Sequence, residues 1–243
     1  MKRLKFAGVN FPSRSTLKWL NAFYRAKRYS LKNPKNIEDL VNNHFKFWST
    51  QTDFTKEGFY LALKSISYPS LIIETGTSAW GCDSSRLFDS FVRKFGGEFH
   101  SVDLRVEASL WLQYQVSNRT KFHVKDSVEF LNLDLPKLVS RKIDLLYLDS
   151  FDLDWSNPLP SAKHCLEEFK GALPFLTSGS YVLIDDTPED LKRIPVEFHN
   201  EAIKFKKEYD QLPGKGSLVL NEIKSYKNMK VVYHTQNVLI QIN

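Results

Sequence analysis

Acidic residues close five short apolar segments in the part of the sequence after residue 69. These acids are Glu74, Asp103, Asp126, Asp149 and the pair Asp185–Asp186. A single Asp at such a place often caps a helix, but the strands of an open parallel sheet all end at one edge, where ligands bind. Carboxylates crowded at that edge repel one another unless positive charge or hydroxyl groups lie among them. The pattern therefore predicts a site for a cationic or hydroxyl-rich ligand.

The first of these segments leads into the loop ETGTSAWG, residues 74–81. A dinucleotide-binding loop needs three glycines, but Ser78 stands between Gly76 and Gly81, and its side chain obstructs the approach of a pyrophosphate. A P-loop ends in Gly-Lys-Ser/Thr, whereas Cys82 and Asp83 follow Gly81 here. The loop therefore predicts a ligand without phosphates.

A second glycine-containing segment, GKGS at residues 214–217, does not qualify as a P-loop either. A P-loop follows a strand, and no strand-like segment precedes GKGS. The pattern favours a turn at the start of a helix.

S-adenosylmethionine meets these demands, because it carries a sulfonium, an ammonium, a ribose diol and an adenine but no phosphate. Glu74 would organise the ammonium end through its loop, and Gly76 would let the backbone approach the methionine part. Asp103 is placed to accept hydrogen bonds from both ribose hydroxyls, and Asp126 with Ser127 would meet the adenine edge. The candidate cofactor-binding residues are Glu74, Gly76, Thr77, Ser78, Gly81, Asp103, Asp126, Ser127 and Asp149.

The apolar segments alternate with helical patterns, which decides how the acids would be positioned. SSRLFDSFVRKF (84–95) and SAKHCLEEFKGALPFL (161–176) have apolar residues at helical spacing. Such alternation predicts a mostly parallel sheet covered by helices on both faces. MKVVYHTQ and NVLIQIN (229–243) are too close together for a helical crossover, so they predict a closing antiparallel hairpin. The expected fold is α/β, with a doubly wound, mostly parallel, seven-stranded sheet.

Three helical patterns precede this core, in RSTLKWLNAFYRAKRY (14–29), IEDLVNNHFKFWS (37–49) and TKEGFYLALKSI (55–66). We expect residues 1–68 to form a helical extension that packs on the core. Residues 69–243 would form the cofactor-binding domain.

Four segments of this core resemble motifs of the class I S-adenosylmethionine-dependent methyltransferases, namely ETGTSAWG, the acid of SVDL, KDSVEFL and LLYLDS. The resemblance extends over residues 66–243 and is strongest to the catechol O-methyltransferase-like enzymes that act on small molecules. It implies transfer of a methyl group from S-adenosylmethionine to a hydroxyl of a small molecule or glycan.

In that sub-group a divalent cation is held by an acid at the end of the fourth strand and by an acidic pair after the fifth. Asp149 in YLDS and Asp185–Asp186 in LIDDT match these positions, so the resemblance implies a metal site with magnesium as its ion. Magnesium prefers hard oxygen ligands, and a hydroxyl bound to it loses its proton more easily. The alternative is that Asp186 caps the next helix and Asp149 contacts only the cofactor.

The proton acceptor is open, because Asp152 stands where the catechol-type enzymes have a lysine as general base. A metal-bound alkoxide would suffice, or Asp152, Asp154 or His164 would accept the proton. His164 lies on a predicted helix, where histidines are more often structural. The candidate catalytic residues are Asp149, Asp152 and His164.

The net charge is +6, and residues 1–35 are rich in Lys and Arg and contain no acid. Such a segment is typical of a solvated helix face, but contact with RNA or another polyanion is an alternative. The Asn/Asp-Pro-Pro-aromatic motif of enzymes that methylate DNA amino groups does not follow YLD. Nucleic acid is therefore a less favoured partner than a small molecule or glycan. A catalytically silent module that binds the cofactor is a further alternative.

The two cysteines, Cys82 and Cys165, show neither zinc-ligand spacing nor a disulfide framework, which indicates a reducing compartment. No apolar stretch approaches the ~20 residues that span a bilayer, and the N-terminus lacks the apolar core of a secretory signal. We therefore expect a cytoplasmic protein without a membrane span. The oligomeric state is not predicted.

Overall fold

The computed structural model describes residues 3–6, 9–12, 34–47, 49, 53–77 and 82–243. Within them the strands are β1 (Arg3–Phe6), β2 (Val9–Pro12), β3 (Ser70–Thr75), β4 (Gly97–Asp103), β5 (Thr120–Val124), β6 (Leu145–Leu148), β7 (Tyr181–Ile184), β8 (Met229–His234) and β9 (Val238–Ile242). The α-helices are α1 (Ile37–Phe47), α2 (Asp53–Ser65), α3 (Ser84–Phe95), α4 (Val106–Leu112), α5 (Ser127–Glu129), α6 (Leu135–Leu138), α7 (Leu159–Ala172), α8 (His199–Tyr209) and α9 (Ser217–Glu222). The helix predicted at 14–29 lies outside the described residues, as do Ser78 and Gly81.

Strands β3 to β9 form one sheet in the order β5-β4-β3-β6-β7-β9-β8. Neighbouring strands from β5 to β7 are parallel, whereas β9 pairs antiparallel with both β7 and β8. The chain runs outward from β3 to β5 and then returns to β6, so the strand order reverses between β3 and β6. Ligands of doubly wound sheets bind at such a reversal. The predicted seven-stranded sheet with a closing hairpin is confirmed.

Both faces of the sheet are covered, because successive residues of a strand face opposite sides and here both sets are apolar. On β3, Leu71 and Ile73 belong to a cluster that includes Phe169 of α7. Ile72 belongs to a second cluster that includes Phe88 of α3. Water is therefore excluded from the centres of the strands, and a ligand can reach the sheet only at the strand ends.

The N-terminal helices share this second cluster with the sheet, since it contains Leu40 of α1 and Phe59 of α2. The amide of Asn237, between β8 and β9, also donates to the carbonyl oxygen of Thr55 in α2 at 3.1 Å. Strands β1 and β2 pair as an antiparallel hairpin where no strand was predicted. The boundary at residue 68 stays a prediction. All the described helices are too short or too polar for a membrane span.

Candidate active site

The carboxyl ends of the parallel strands bring the predicted acids to one edge of the sheet. Asp103 is the last residue of β4, while Asp149 and Asp185 directly follow β6 and β7. Asp126 begins α5, just after β5. Glu74 differs from the others, because it lies within β3 and not beyond its end. Four of the five parallel strands, β4 to β7, therefore contribute an acid to this edge.

Glu74 is fully buried, with an exposed fraction of 0%. Its carboxylate accepts hydrogen bonds from the hydroxyls of Ser84 and Ser85 at 2.5 Å and of Ser101 at 2.6 Å. Burial raises the pKa of Glu74 to about 8, and the three hydroxyls oppose that shift. Because Ser84 and Ser85 begin α3 and Ser101 lies on β4, Glu74 fixes the elements around the loop 74–81. This position is compatible with the predicted action through the loop.

Gly76 lies where the loop crosses the end of β6. Its φ is +84°, and a Cβ at this position would lie 2.3 Å from the carbonyl oxygen of Asp149. Only glycine tolerates both the backbone conformation and the close approach. The Gly76 amide donates to the carbonyl of Val102 at 2.8 Å, and the Thr77 and Ser101 hydroxyls lie 2.8 Å apart. The start of the loop is therefore fixed against both β4 and β6.

Asp103 is 7% exposed, and Arg105 occupies its carboxylate. The Arg105 backbone amide donates to Oδ1 at 2.7 Å, and the guanidinium donates to Oδ1 at 3.1 Å and to Oδ2 at 2.9 Å. The Asp103 hydrogen bond, with smaller contributions from Asp152 and Asp149, raises the pKa of Arg105. A ribose diol at Asp103 would thus compete with Arg105, a residue that the sequence analysis did not single out.

The residues predicted on the adenine side are joined to His164. Asp126 caps α5 by accepting a hydrogen bond from the backbone amide of Glu129 at 2.9 Å. The Ser127 hydroxyl lies 3.0 Å from Nε2 of His164, which in turn lies 3.4 Å from Oε1 of the buried Glu168. The close contact with the Glu168 carboxyl group raises the pKa of His164. These contacts place His164 beside Ser127, and Glu168 gives it a structural partner.

Asp149, Asp185 and Asp186 lie together with Tyr147 and Lys215, and we call these five residues the acid cluster. The Lys215 ammonium donates a hydrogen bond to Oδ1 of Asp149 and lies 3.2 Å from Oδ2 of Asp186. The Tyr147 hydroxyl lies 3.3 Å from Asp149 and 3.1 Å from Asp185, and its single proton serves one carboxylate at a time. Burial raises the pKa of Asp149 to about 6, while the Lys215 ammonium opposes the shift. The three predicted metal ligands therefore do meet, and two unpredicted residues meet them.

Asp185 and Asp186 differ in their surroundings. Asp185 is buried, and within the described residues its Oδ1 has no hydrogen-bond partner. Burial raises the pKa of Asp185 well above its ordinary value. The Asp186 side chain is 37% exposed, and its backbone has a φ of +43°, a strained conformation for a residue with a Cβ. The alternative that Asp186 caps the next helix is wrong, since Asp190 caps the helical turn that follows.

Lys215 reaches the acid cluster from the turn before α9, and it is only 3% exposed. A Cβ on Gly214 would lie 2.7 Å from the carbonyl oxygen of Asp186, and one on Gly216 would lie 2.8 Å from the Thr187 hydroxyl. The Lys215 amide donates to the same Asp186 oxygen at 3.0 Å. The GKGS segment is thus a turn before a helix, as predicted, but the role of its lysine was missed. Two glycines that flank a lysine were the available signal.

The acid cluster has the oxygen donors of a magnesium site, but a lysine ammonium lies where the ion would bind. One carboxylate oxygen each of Asp149 and Asp185 lies within 4.8 Å of the Cys82 sulfur, and such oxygens suit Mg²⁺. Burial raises the pKa of the Cys82 thiol, so the thiol stays protonated and is a poor ligand. The Lys215 ammonium lies between Asp149 and Asp186, and a metal bound by both would meet a second positive charge. The arrangement therefore does not fit the implied ion.

Asp152, the remaining catalytic candidate, is exposed in the loop after β6. Its negative charge makes a small contribution to the raised pKa of Arg105, after that of Asp103. Asp152 is thus exposed to solvent beyond β6 and is not a member of the acid cluster.

The strand order is that of the class I S-adenosylmethionine-dependent methyltransferase fold, so the predicted fold is confirmed. Similar solved structures include the MycE methyltransferase of the mycinamycin biosynthetic pathway, in complex with Mg and SAH. It is 14% identical with a TM-score of 0.59, and the match covers 100% of this chain and 68% of MycE.

Two further solved structures match nearly the whole chain. The SAH-bound methyltransferase PaMTH1 of Podospora anserina is 14% identical with a TM-score of 0.51, and the match covers 98% of this chain and 100% of PaMTH1. The apo structure of CalS11, a TDP-rhamnose 3'-O-methyltransferase, is 16% identical with a TM-score of 0.50 and 96% coverage of both chains. No family profile and no curated protein sequence match this sequence.

Proposed function

We propose that this protein is an S-adenosylmethionine-dependent methyltransferase that acts on a hydroxyl group of a small molecule or glycan. The observation that carries the proposal is the placement of Asp103 and Asp149 on either side of β3, where the strand order reverses and the loop 74–81 begins. This is where ligands of doubly wound sheets bind. The names of the similar structures, all methyltransferases and one an O-methyltransferase of a sugar nucleotide, support the proposal.

In the proposed reaction, Asp103 would hold the ribose hydroxyls after Arg105 has moved from its carboxylate. The acids of the cluster would attract the positive sulfonium, because Asp149 and Asp186 share the single ammonium of Lys215. The acceptor oxygen attacks the methyl carbon, the carbon–sulfur bond breaks, and S-adenosylhomocysteine leaves. The acceptor proton passes to a base, for which Asp149, Asp152 and His164 stay candidates. Only Asp149 lies in the acid cluster.

The decisive first experiment is calorimetric titration of the purified protein with S-adenosylhomocysteine, with NAD⁺ and ATP as control ligands. We expect S-adenosylhomocysteine to bind and the two phosphate-containing ligands not to bind. Binding of NAD⁺ or ATP without S-adenosylhomocysteine would contradict the proposal.

The acceptor class is tested by incubation with methyl-labelled S-adenosylmethionine and fractionated cell extract. Label should enter a small-molecule or glycan fraction in a form that resists treatments specific for esters and amines. Label in RNA would favour the polyanion alternative. Cofactor binding without labelled product in any fraction would favour the silent binding module.

A further inference from the structure

We propose that the Lys215 ammonium is the resident cation of the acid cluster and takes the place of a divalent metal. Its role as a positioning residue in methyl transfer rests on the proposed function. Its occupation of the site does not, because that follows from the contacts of the lysine alone. The site would then work without the magnesium ion that the sequence resemblance implies.

The contacts of the ammonium are those that a bridging metal would need. Lys215 Nζ donates to Asp149 and lies 3.2 Å from Asp186, so it joins the acid after β6 to the acidic pair after β7. A magnesium ion bound to both acids would lie ~2.1 Å from their oxygens, in the space that the ammonium fills. Two cations in contact repel strongly inside a protein. The carboxylates therefore hold one cation or the other.

The backbone of the turn that carries Lys215 is packed closely against Asp186 and Thr187. Side chains at Gly214 and Gly216 would collide with the backbone of Asp186 and with Thr187. The Gly216 amide donates to the Thr187 hydroxyl at 2.9 Å, and the Lys215 amide donates to the Asp186 carbonyl. The same short segment thus supplies one acid of the cluster and anchors the lysine that neutralises it. Lys215 is consequently held at both its backbone and its ammonium.

The burial of Lys215 indicates that its contacts with the acids are required and not incidental. The exposed fraction of Lys215 is 3%, and a buried ammonium needs charged partners to remain in the protein. An exposed lysine such as Lys224, which pairs with Asp210 at 3.0 Å on the surface, faces no such demand. Lys224 therefore provides a matched control for Lys215, since both lysines pair with an acid but only Lys215 is buried.

The test is a titration with Mn²⁺ followed by electron paramagnetic resonance, which reports metal binding without any assay of activity. We expect wild type, Lys215→Arg and Lys224→Ala to bind Mn²⁺ equally weakly. Lys215→Ala leaves the carboxylates without their cation, so it should bind Mn²⁺ at least ~10-fold more tightly. Mg²⁺ should then raise the melting temperature of Lys215→Ala but not that of wild type.

Two results would overturn the proposal. One is tight Mn²⁺ binding by wild type that Asp149→Asn abolishes, and the other is a folded Lys215→Ala variant with no gain in metal affinity. If Lys215→Ala does not fold, Lys215→Gln and the wild-type titration decide the matter in the same way.

The role in catalysis is tested separately. Labelled methyl transfer by wild type should be unaffected by EDTA, and Lys215→Arg should retain much of the turnover that Lys215→Ala loses. Loss of wild-type transfer on addition of EDTA, restored by Mg²⁺, would contradict this role. If S-adenosylhomocysteine binds to none of the variants while the Mn²⁺ results stand, the proposed function fails and the assignment of the resident cation remains.

Discussion

The two halves of the acid-lined edge neutralise their charge in different ways. On the side of β3 and β4, the buried acids receive hydrogen bonds from residues in the next elements along the chain. Glu74 receives them from three serines of α3 and β4, and Asp103 receives them from Arg105. On the side of β6 and β7, the acids crowd together, and their cation comes from Lys215, 66 residues after Asp149. The acids of the first half have their partners on β4, at the start of α3 and in the residues directly after β4, whereas the acids of the second half depend on a lysine from a distant turn.

This difference determines how strongly the loss of one partner side chain destabilises each half. Three hydroxyls surround the carboxyl group of Glu74, so the loss of one hydrogen bond leaves two others. A single ammonium serves Asp149 and Asp186, and its removal leaves the largely buried Asp149 and the partly exposed Asp186 without their cation. We therefore expect the β6–β7 half to be the more fragile of the two.

The largest effect is expected for Lys215→Met, measured by urea unfolding at pH 7. It should lower the free energy of unfolding by about 3–5 kcal/mol, because removing one partner of a buried ion pair leaves the other unpaired. The exposed control Lys224→Met should lose less than about 1 kcal/mol. Equal losses in the two variants would remove the contrast between the halves.

Asp103→Ala addresses the other half. It should weaken binding of S-adenosylhomocysteine by roughly 10- to 100-fold, because hydrogen bonds to a charged acceptor are lost from the ribose. Glu98→Gln is the control, since Glu98 lies on the same strand β4 at the opposite end. Calorimetry that gives wild-type affinity for Asp103→Ala would show that the ribose does not bind there.

Glu74→Gln tests the pH dependence of the local half. The pKa of Glu74 is raised from 4.5 to about 8, so the folded protein holds a proton that the unfolded chain releases between these values. The stability of wild type should therefore fall as the pH rises from 5 to 8, by about 1–3 kcal/mol from this group. Glu74→Gln should lack that part of the slope, whereas Glu98→Gln should keep it. Parallel pH curves for wild type and Glu74→Gln, from urea unfolding, would contradict the shift.

The smallest effect is expected for Arg105→Ala. Because the guanidinium competes with the ribose for Asp103 and is about half exposed, its removal should strengthen binding of S-adenosylhomocysteine by only about 2- to 5-fold. The calorimetric titration used for Asp103→Ala measures it. Weaker binding would instead mean that Arg105 contacts the cofactor.

The sequence predicted those parts of the molecule that depend on periodicity along the chain. Strand β3 and helix α3 have the predicted limits, residues 70–75 and 84–95, because both are apolar patterns with clear ends. The convergence of Asp103, Asp149 and Asp185 followed from the rule that parallel strands share an edge. These predictions needed no knowledge of long-range contacts.

The parts that escaped prediction depend on residues that are distant in sequence. Lys215 meets Asp149 only because the turn before α9 packs on the segment after β7, and spacing does not encode that packing. Tyr147 lies within the apolar segment that ends at Asp149, where its residue type alone does not indicate that its hydroxyl lies in the acid cluster. His164 is one of several candidates for proton transfer by its residue type, whereas in the structure Ser127 and Glu168 are its neighbours. The β1–β2 hairpin lies in a basic segment whose alternation of polar and apolar residues, RLKF and VNFP, extends over only four residues in each strand.

The contact between Gly76 and the Asp149 carbonyl gives the two halves a common mechanical element. Since a Cβ at residue 76 would lie 2.3 Å from that carbonyl oxygen, any residue larger than glycine would push the start of the loop away from the backbone that carries Asp149. The spacing between the two halves therefore depends on the absence of a side chain at one position.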